Sequence, residues 1–228
     1  MSEENSNYLI LFKLICFAPP LLLAIILHEI AHGWVAYKLG DPTAKDLGRI
    51  TLNPLKHIDP VMTIILPGIL LLSGSPFLFG GAKPVPVNPL NFKHPRRDMA
   101  YVAMAGPITN FIIAALTLFS GRIMFGYFSH VFTVLPNIFL PIFIIWISQG
   151  FLINIILGLF NLLPIPPLDG GRIAVGFLPI EIARNVAKLE RWGLFIVMGL
   201  LYSGVLNSIL SPVASFVEYI LRINGFAL

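Results

Sequence analysis

Residues 21–32 read Leu-Leu-Leu-Ala-Ile-Ile-Leu-His-Glu-Ile-Ala-His, and they place three ionisable side chains inside an apolar run. On a helix, His28 and His32 are four residues apart and share one face, so both imidazoles can bind one zinc ion. Glu29, the next residue along, is placed to take a proton from a water on that metal. Ionisable residues inside a membrane helix are costly, and they indicate function.

The composition is that of an integral membrane protein. Of the 228 residues, 57% are hydrophobic and only 11% are charged, whereas about 25% are charged in a soluble domain. This hydrophobicity, with a mean hydropathy of +0.85, excludes a soluble zinc hydrolase. The net charge of +4 does not indicate a nucleic-acid partner, because the Lys and Arg residues lie in short loops between apolar runs. In such loops they set orientation or meet lipid headgroups.

The apolar runs predict an all-α polytopic membrane protein with about five (four to six) transmembrane helices. We expect a single domain over residues 1–228, with a core at about 8–175 and C-terminal helices at about 180–228. The predicted apolar segments lie at about 8–38, 61–79, 99–120, 134–163 and 193–210. An interfacial helix is expected at 181–192, and the short apolar tail at 212–223 stays unassigned.

The second segment, 61–79, is interrupted by Pro67-Gly68 and by Ser73-Gly74-Ser75-Pro76, and a Pro-rich stretch at 80–89 follows that favours extended structure. If the second segment dips into the membrane and returns, the first and fourth segments run in parallel. If it crosses, their C-terminal ends lie on opposite faces, unless a further crossing lies within 121–163. We favour the re-entrant arrangement because of the interruptions.

A catalytic zinc site needs a third protein ligand. His57, His94 and His130 fall in loops between apolar runs, where we expect surface or interface residues. Asp169 follows an apolar segment and a Pro-Ile-Pro-Pro run that breaks the helix, an arrangement that can hold a carboxylate beside a cavity at membrane depth. From local sequence alone, Asp169 is either the third ligand or a turn residue at a helix end.

Three motifs in this order resemble the site-2 proteases, the intramembrane zinc metalloproteases of peptidase family M50, and the small variants without a PDZ domain fit best. They are His-Glu-x-x-His, Ala-Gly-Pro-x-x-Asn, and Asn…Pro…Asp-Gly, located at 28–32, 105–110 and 161–170. Further matches include Gly48-Arg49 and the stretches at 51–54 and 82–89, and the likeness covers about residues 20–175. Where such chains often carry an aromatic residue before Ala-Lys-Pro, this one has Gly80-Gly81.

The resemblance implies roles for six residues. One zinc ion per chain would be bound by His28, His32 and Asp169, and Glu29 would be the general base. Asn110 and Asn161 would contact or position the substrate, Asn161 as a candidate for its oxyanion. Asn154 is a candidate for lining a water channel or, by preference, for an interhelical hydrogen bond.

The expected function is zinc-dependent endoproteolysis within or near transmembrane segments. The expected partners are a transmembrane protein or peptide substrate and the lipid bilayer, and the expected location is a prokaryotic plasma membrane. Two alternatives stay open: a metal-ion transporter, in which intramembrane His and Asp mark an ion path, and a non-proteolytic membrane scaffold.

Overall fold

The computed structural model describes residues 3–74, 80–134 and 139–226, with side chains at 15–70, 72–74, 80–127 and 139–226. Within these ranges the protein is helical, with extended connections and no strand. The helices are α1 (Glu3–Lys38), α2 (Thr43–Asp46), α3 (Leu66–Leu72), α4 (Pro95–Val134), α5 (Phe139–Asn161), α6 (Asp169–Phe177), α7 (Ile180–Lys188), α8 (Gly193–Tyr202) and α9 (Val205–Ile223).

Three of these helices are long and apolar enough to cross a membrane: Ile15–Lys38 within α1, Pro95–Tyr127 within α4, and all of α5. A fourth span exists if Ile180–Tyr202 and α9, which are bent by 67° at their junction, are counted as one. The chain is thus an all-α, multi-pass membrane protein. Its described residues contain three candidate spans, or four if the bent pair counts as one, whereas the sequence predicted four to six. The predicted fifth segment at 193–210 is interrupted where α8 ends.

Helices α1, α4 and α5 pack against one another, and side-chain contacts give their directions. Near the start of α5, Trp146 Nε1 donates to the carbonyl of Ile15 in α1 at 3.1 Å. Further along α1, His28 lies 3.1 Å from Asp169, which follows the end of α5. Helices α1 and α5 therefore run in parallel, as the re-entrant arrangement requires, whereas α4 runs antiparallel to both.

The second apolar segment begins and ends at neighbouring positions in the structure. It starts with a π-helical turn at Pro60–Ile65, continues as α3, and its residues 75–79 lie outside the described part of the chain. On return, Gly81 N–H donates to the Met62 carbonyl at 3.0 Å, and Lys83 N–H donates to the His57 carbonyl at 2.8 Å. A Cβ atom at Gly80 would lie 2.9 Å from the Met62 carbonyl oxygen, so the glycine permits this close return. The two described ends of the segment therefore lie side by side.

The extended stretch after this return is fastened at both ends. Arg49 Nη2 donates to the Lys83 carbonyl at 2.8 Å, and the Asp41 carboxylate accepts from Asn88 N–H at 2.7 Å and from Asn91 Nδ2 at 2.6 Å. Burial raises the pKa of the Asp41 carboxyl, but these bonds and those from Thr43 outweigh it and hold the pKa below its ordinary value. Residues 80–88 form no helix, as predicted, and this extended segment lies beside α1.

The last helices support the bundle from the side of α5. Helix α9 packs on α5, and a cluster of buried apolar residues joins α4, α5, α9 and the C-terminal residues: Ala114, Ile147, Phe151, Val217, Leu221 and Phe226. The predicted interfacial helix at 181–192 corresponds to α7 and the short 3-10 turn Glu190–Trp192.

Candidate metal centre

Three ligand atoms converge between α1 and the start of α6. Nε2 of His28 and Nε2 of His32 are 3.0 Å apart, and Oδ2 of Asp169 lies 3.1 Å from the first and 3.3 Å from the second. All three residues are buried. Ligand atoms on a tetrahedral zinc ion, bound at about 2.0–2.1 Å, lie about 3.3 Å apart. The structure therefore brings together the three residues that the resemblance implies as ligands.

The far nitrogen of each imidazole is held by an oxygen. His32 Nδ1 donates to the backbone carbonyl of Val102 at 2.7 Å, and His28 Nδ1 donates to Oδ1 of Asn110 at 2.6 Å. Because a carbonyl oxygen can only accept, each Nδ1 carries a proton, and a neutral imidazole in this tautomer has its lone pair at Nε2. In metal-binding histidines, an oxygen on the nitrogen that does not face the metal fixes the tautomer and the orientation of the ring in this way.

The Asp169 carboxylate supports the same conclusion. Among the described residues, its buried Oδ2 faces only the two imidazole nitrogens, which offer it no proton when the imidazoles are neutral. A buried polar atom without a partner is costly, and a cation between the three atoms removes that cost. The donor set fits a metal ion.

Asp169 owes its position to the break between α5 and α6. Helix α5 ends at Asn161, the Pro-rich turn at 162–168 reverses the chain, and Asp169 is the first residue of α6. A carboxylate is favoured in the first turn of a helix by the helix dipole.

Helix α4 packs directly against the two imidazole ligands at Gly106. A Cβ atom at Gly106 would lie 2.5 Å from His32 Nε2 and 2.6 Å from His28 Nε2. No side chain fits there without displacing the ligand atoms. Sequence reasoning did not single out Gly106, although a glycine four positions before Asn110 on a helix was a signal of close packing at that face.

A cavity of about 290 Å³ opens in front of the ligands. Glu29 lines it together with Asn161 and Arg172, and the extended segment forms one wall through Ala82, Pro84, Val85 and Val87. The Glu29 carboxylate accepts a hydrogen bond from Val85 N–H at 2.8 Å. The predicted base thus lies in the same cavity as the ligands.

The three asparagines occupy different places. Asn161 lines the cavity and donates one amide hydrogen to the Leu157 carbonyl at 3.0 Å. Asn110 is fully buried behind His28, and its Nδ2 donates to Asn154 Oδ1 at 2.9 Å and to the Ala24 carbonyl at 3.2 Å. Asn154 therefore makes the preferred interhelical hydrogen bond. A contact of Asn110 or Asn161 with substrate stays a prediction.

The remaining histidines lie away from the site. His57 is 3% exposed, so the expectation of a surface residue is wrong there. Its Nε2 donates to the Thr51 carbonyl at 2.8 Å, and its own backbone carbonyl accepts from Lys83 N–H. His94 is exposed, as expected. His130 belongs to α4 rather than to a loop, and its side chain lies outside the described residues.

Comparison with known proteins agrees with this geometry. The model of peptidase family M50 matches residues 16–203. The chain belongs to this family. YwhC of Bacillus subtilis, whose name describes it as a candidate zinc metalloprotease, is 41% identical over 188 residues, which are 82% of this chain and 80% of YwhC. The resemblance to site-2 proteases is confirmed.

More distant members of the family agree. Rip2 of Mycolicibacterium smegmatis, also named as a candidate zinc metalloprotease, is 31% identical over 82% of this chain and 66% of its own length. The zinc metalloprotease MJ0392 of Methanocaldococcus jannaschii is 25% identical over 87% of this chain and 46% of its own length. No solved structure matches the chain. The M50 protein is thus a metalloprotease, and the metal for which its two imidazoles and one carboxylate are suited is zinc.

Proposed function

We propose that this M50 protein is a zinc-dependent endopeptidase that hydrolyses peptide bonds within or near the transmembrane segments of membrane-protein substrates. One observation carries the proposal: His28, Glu29 and His32 lie inside the apolar span Ile15–Lys38. The third ligand reaches this span from the end of a second one. A protease that cut only soluble chains would have no need to bury its ligands among membrane helices.

Zinc, when bound, supplies a Lewis acid that polarises the scissile carbonyl and lowers the pKa of a coordinated water. Glu29 accepts the proton of the attacking water and passes it to the leaving amine. Val85 N–H holds the Glu29 carboxylate in the cavity that the ligands face. Asn161 has a second amide hydrogen beyond the one bonded to Leu157, and it can donate to the substrate carbonyl.

The extended segment is suited to hold an unwound substrate. A helical substrate hides its carbonyls in intrahelical hydrogen bonds, so it must open before attack. Pro84 and Pro86 have no N–H group and Val85 N–H is bonded to Glu29, so an unwound substrate would pair with Val87 N–H and with the backbone carbonyl groups of the segment. Both valines line the cavity. We infer that the substrate pairs with this segment as an added strand.

The charges of two loops support a location in a prokaryotic plasma membrane. Residues 38–60 and 80–98 each carry four Lys or Arg, and hydrogen bonds between Arg49 and Lys83 and between Asp41 and Asn88 join the two stretches on one side. Because cytoplasmic loops are enriched in positive residues, we assign this side to the cytoplasm. The relatives named above come from bacteria and an archaeon.

The test is cleavage in a bilayer. The purified chain would be reconstituted in vesicles with a single-span substrate that carries a helix-breaking residue in its apolar part, and the fragments would be sequenced by mass spectrometry. We expect new termini inside the apolar part from the wild type. Glu29→Gln should lower the rate by about 10²–10⁴-fold and keep its zinc.

Four outcomes would contradict the proposal. Cleavage confined to the soluble part of the substrate would leave a metalloprotease that does not act within membranes. Cleavage by Glu29→Gln at the wild-type rate would remove Glu29 from the reaction. Zinc uptake into the vesicles without cleavage would favour a transporter, and neither cleavage nor uptake would favour a scaffold.

A further inference from the structure

A second pocket, of about 490 Å³, lies next to the extended segment. It shares Pro84 with the catalytic cavity but is otherwise lined by different residues. Three of them are cationic, Arg49, Lys56 and Lys83, and none of its lining residues carries a carboxylate. Among the described side chains, none of these three cations forms an ion pair. The pocket therefore holds uncompensated positive charge.

Arg49 makes this a built site rather than a patch of surface lysines. Its side chain is buried, with 8% of the residue exposed, and Nη2 donates to the Lys83 carbonyl at 2.8 Å. Its Nε–H is buried and has no hydrogen-bond partner in the part of the chain that the structure describes. A buried donor without a partner costs free energy, more so on a charged group. Arg49 also lines the pocket, and its guanidinium offers paired N–H groups that match phosphate oxygens.

The backbone around the three cations is fixed. Arg49 N–H donates to the Ala44 carbonyl at 2.9 Å, His57 Nε2 donates to the Thr51 carbonyl at 2.8 Å, and Lys83 N–H donates to the His57 carbonyl at 2.8 Å. These bonds hold the three positions in place before any ligand arrives, which lowers the entropy that binding would cost.

Exposed leucines next to the cations indicate a lipid. Leu47 and Leu55 line the same pocket and are 60% and 72% exposed, and Leu52 between them is 63% exposed. The loop that carries them follows the span that ends at Lys38. Cations beside exposed apolar side chains at the end of a membrane helix suit a phosphate headgroup with its acyl chains.

We propose that the pocket lined by Arg49, Lys56 and Lys83 binds the phosphate of an anionic phospholipid, with Leu47 and Leu55 against its glycerol and acyl part. This site is separate from the metal ligands. It adjoins the catalytic cavity through Lys83 and Pro84, so the bound phosphate would fix the start of the segment that walls that cavity.

The experiment measures lipid bound to delipidated, zinc-loaded protein in a neutral detergent, by native mass spectrometry. Phosphatidylglycerol is compared with phosphatidylcholine of the same acyl chains, and inorganic phosphate is added as a competitor. The test variant is Lys56→Gln/Lys83→Gln, which keeps Arg49 and its bond to the Lys83 backbone. Lys45→Gln/Lys93→Gln removes the same charge on the same side without touching the pocket.

We expect one phosphatidylglycerol to be retained in preference to phosphatidylcholine. The test variant should bind it about 10–30-fold more weakly, and the control variant should bind as the wild type does. Glu29→Gln should bind phosphatidylglycerol as the wild type does. A negative result for lipid binding is therefore distinct from a negative result for the proposed proteolysis. Equal loss in both double variants would reduce the site to general surface charge and overturn the proposal. Equal binding of both lipids, or tight binding of inorganic phosphate alone, would overturn its assignment to a lipid.

Discussion

Val85 N–H donates a hydrogen bond to Oε2 of Glu29 at 2.8 Å, and this contact joins the extended segment to the turn of α1 that carries both imidazole ligands. The donor is a backbone group, so its position depends on the path of the chain rather than on the side chain at 85. That path is fixed by the backbone bond at Lys83 and by the Asp41 carboxylate at Asn88. The position of the base is therefore set by contacts outside α1.

Replacing the donor should slow cleavage without removing the metal. Val85→Pro deletes the N–H group from a stretch that already contains Pro84 and Pro86, whereas Val85→Ala keeps it. A hydrogen bond to a charged group is worth about 1.5–3 kcal/mol, so Val85→Pro should be about 10–100-fold slower than Val85→Ala. Both variants should keep their zinc, measured by elemental analysis. Equal rates for the two would show that the bond does not position Glu29.

Removing the third ligand should release the metal. Asp169→Ala leaves two imidazoles, and zinc held by two protein ligands is not a stable catalytic site. We expect about one zinc per chain in the wild type and a strong reduction in the variant, measured in detergent-purified protein. Asp46→Ala, at an exposed carboxylate of α2, serves as the control and should bind like the wild type. Full zinc in Asp169→Ala would remove this residue from the ligand set.

Adding a methyl group at Gly106 should also release the metal, because the group would contact the two imidazole ligands from α4. The added Cβ of Gly106→Ala would lie within 2.6 Å of both Nε2 atoms, so the helices must separate or the imidazoles must turn. We expect loss of zinc and of cleavage. Gly126→Ala lies on the same helix with nothing within 4 Å of its Cβ, and it should keep both. Normal zinc content in Gly106→Ala would mean that α4 can move back at little cost.

Removing the hydrogen bond between Asn110 and His28 should weaken zinc binding. Asn110→Ala removes the acceptor of His28 Nδ1, and loss of such a partner weakens metal binding about 10–100-fold. Competition with a zinc chelator measures this. Asn154→Ala leaves the bond between His28 and Asn110 in place and removes one partner of Asn110, so its effect should be smaller. If Asn110→Ala slows cleavage while zinc affinity is unchanged, the residue acts on substrate instead.

The hydrogen bonds to the Asp41 carboxylate should make the stability of the fold depend on pH. The folded protein lowers the pKa of this carboxyl, so its contribution is complete above the ordinary aspartate pKa of about 3.9 and is lost as the pH falls further. The melting temperature of the wild type should therefore fall more steeply below about pH 4 than that of Asp41→Asn. Thermal unfolding in detergent across this range measures the difference. Parallel curves of melting temperature against pH would show that the hydrogen bonds to Asp41 do not contribute to stability.

The parts of the site that depend on local spacing could be predicted from the sequence. His28 and His32 share a helix face wherever that helix lies, because the separation of four residues fixes it. The return of segment 61–79 could also be inferred, from its Pro and Gly interruptions and from the need to bring Asp169 to the same depth.

Other features depend on how helices rotate against each other. Asn110 faces the back of His28 rather than the cavity, and nothing in its own helix determines which side it faces. Gly106 matters because of atoms on another helix. His57 is buried, with its ring bonded to the Thr51 carbonyl and its backbone carbonyl bonded to Lys83, far along the chain, so its loop-like sequence was misleading. The interruption after α8 was also not foreseen, since the apolar pattern continues across it.

The origin of the ligands in two distant parts of the chain has a consequence for biogenesis. When the ribosome has completed α1, only the two histidines exist, and Asp169 is made after α4 and α5 have been synthesised. A nascent chain that has reached only α4 therefore lacks the complete ligand set. The metal centre can form only after the second half of the polypeptide has been made.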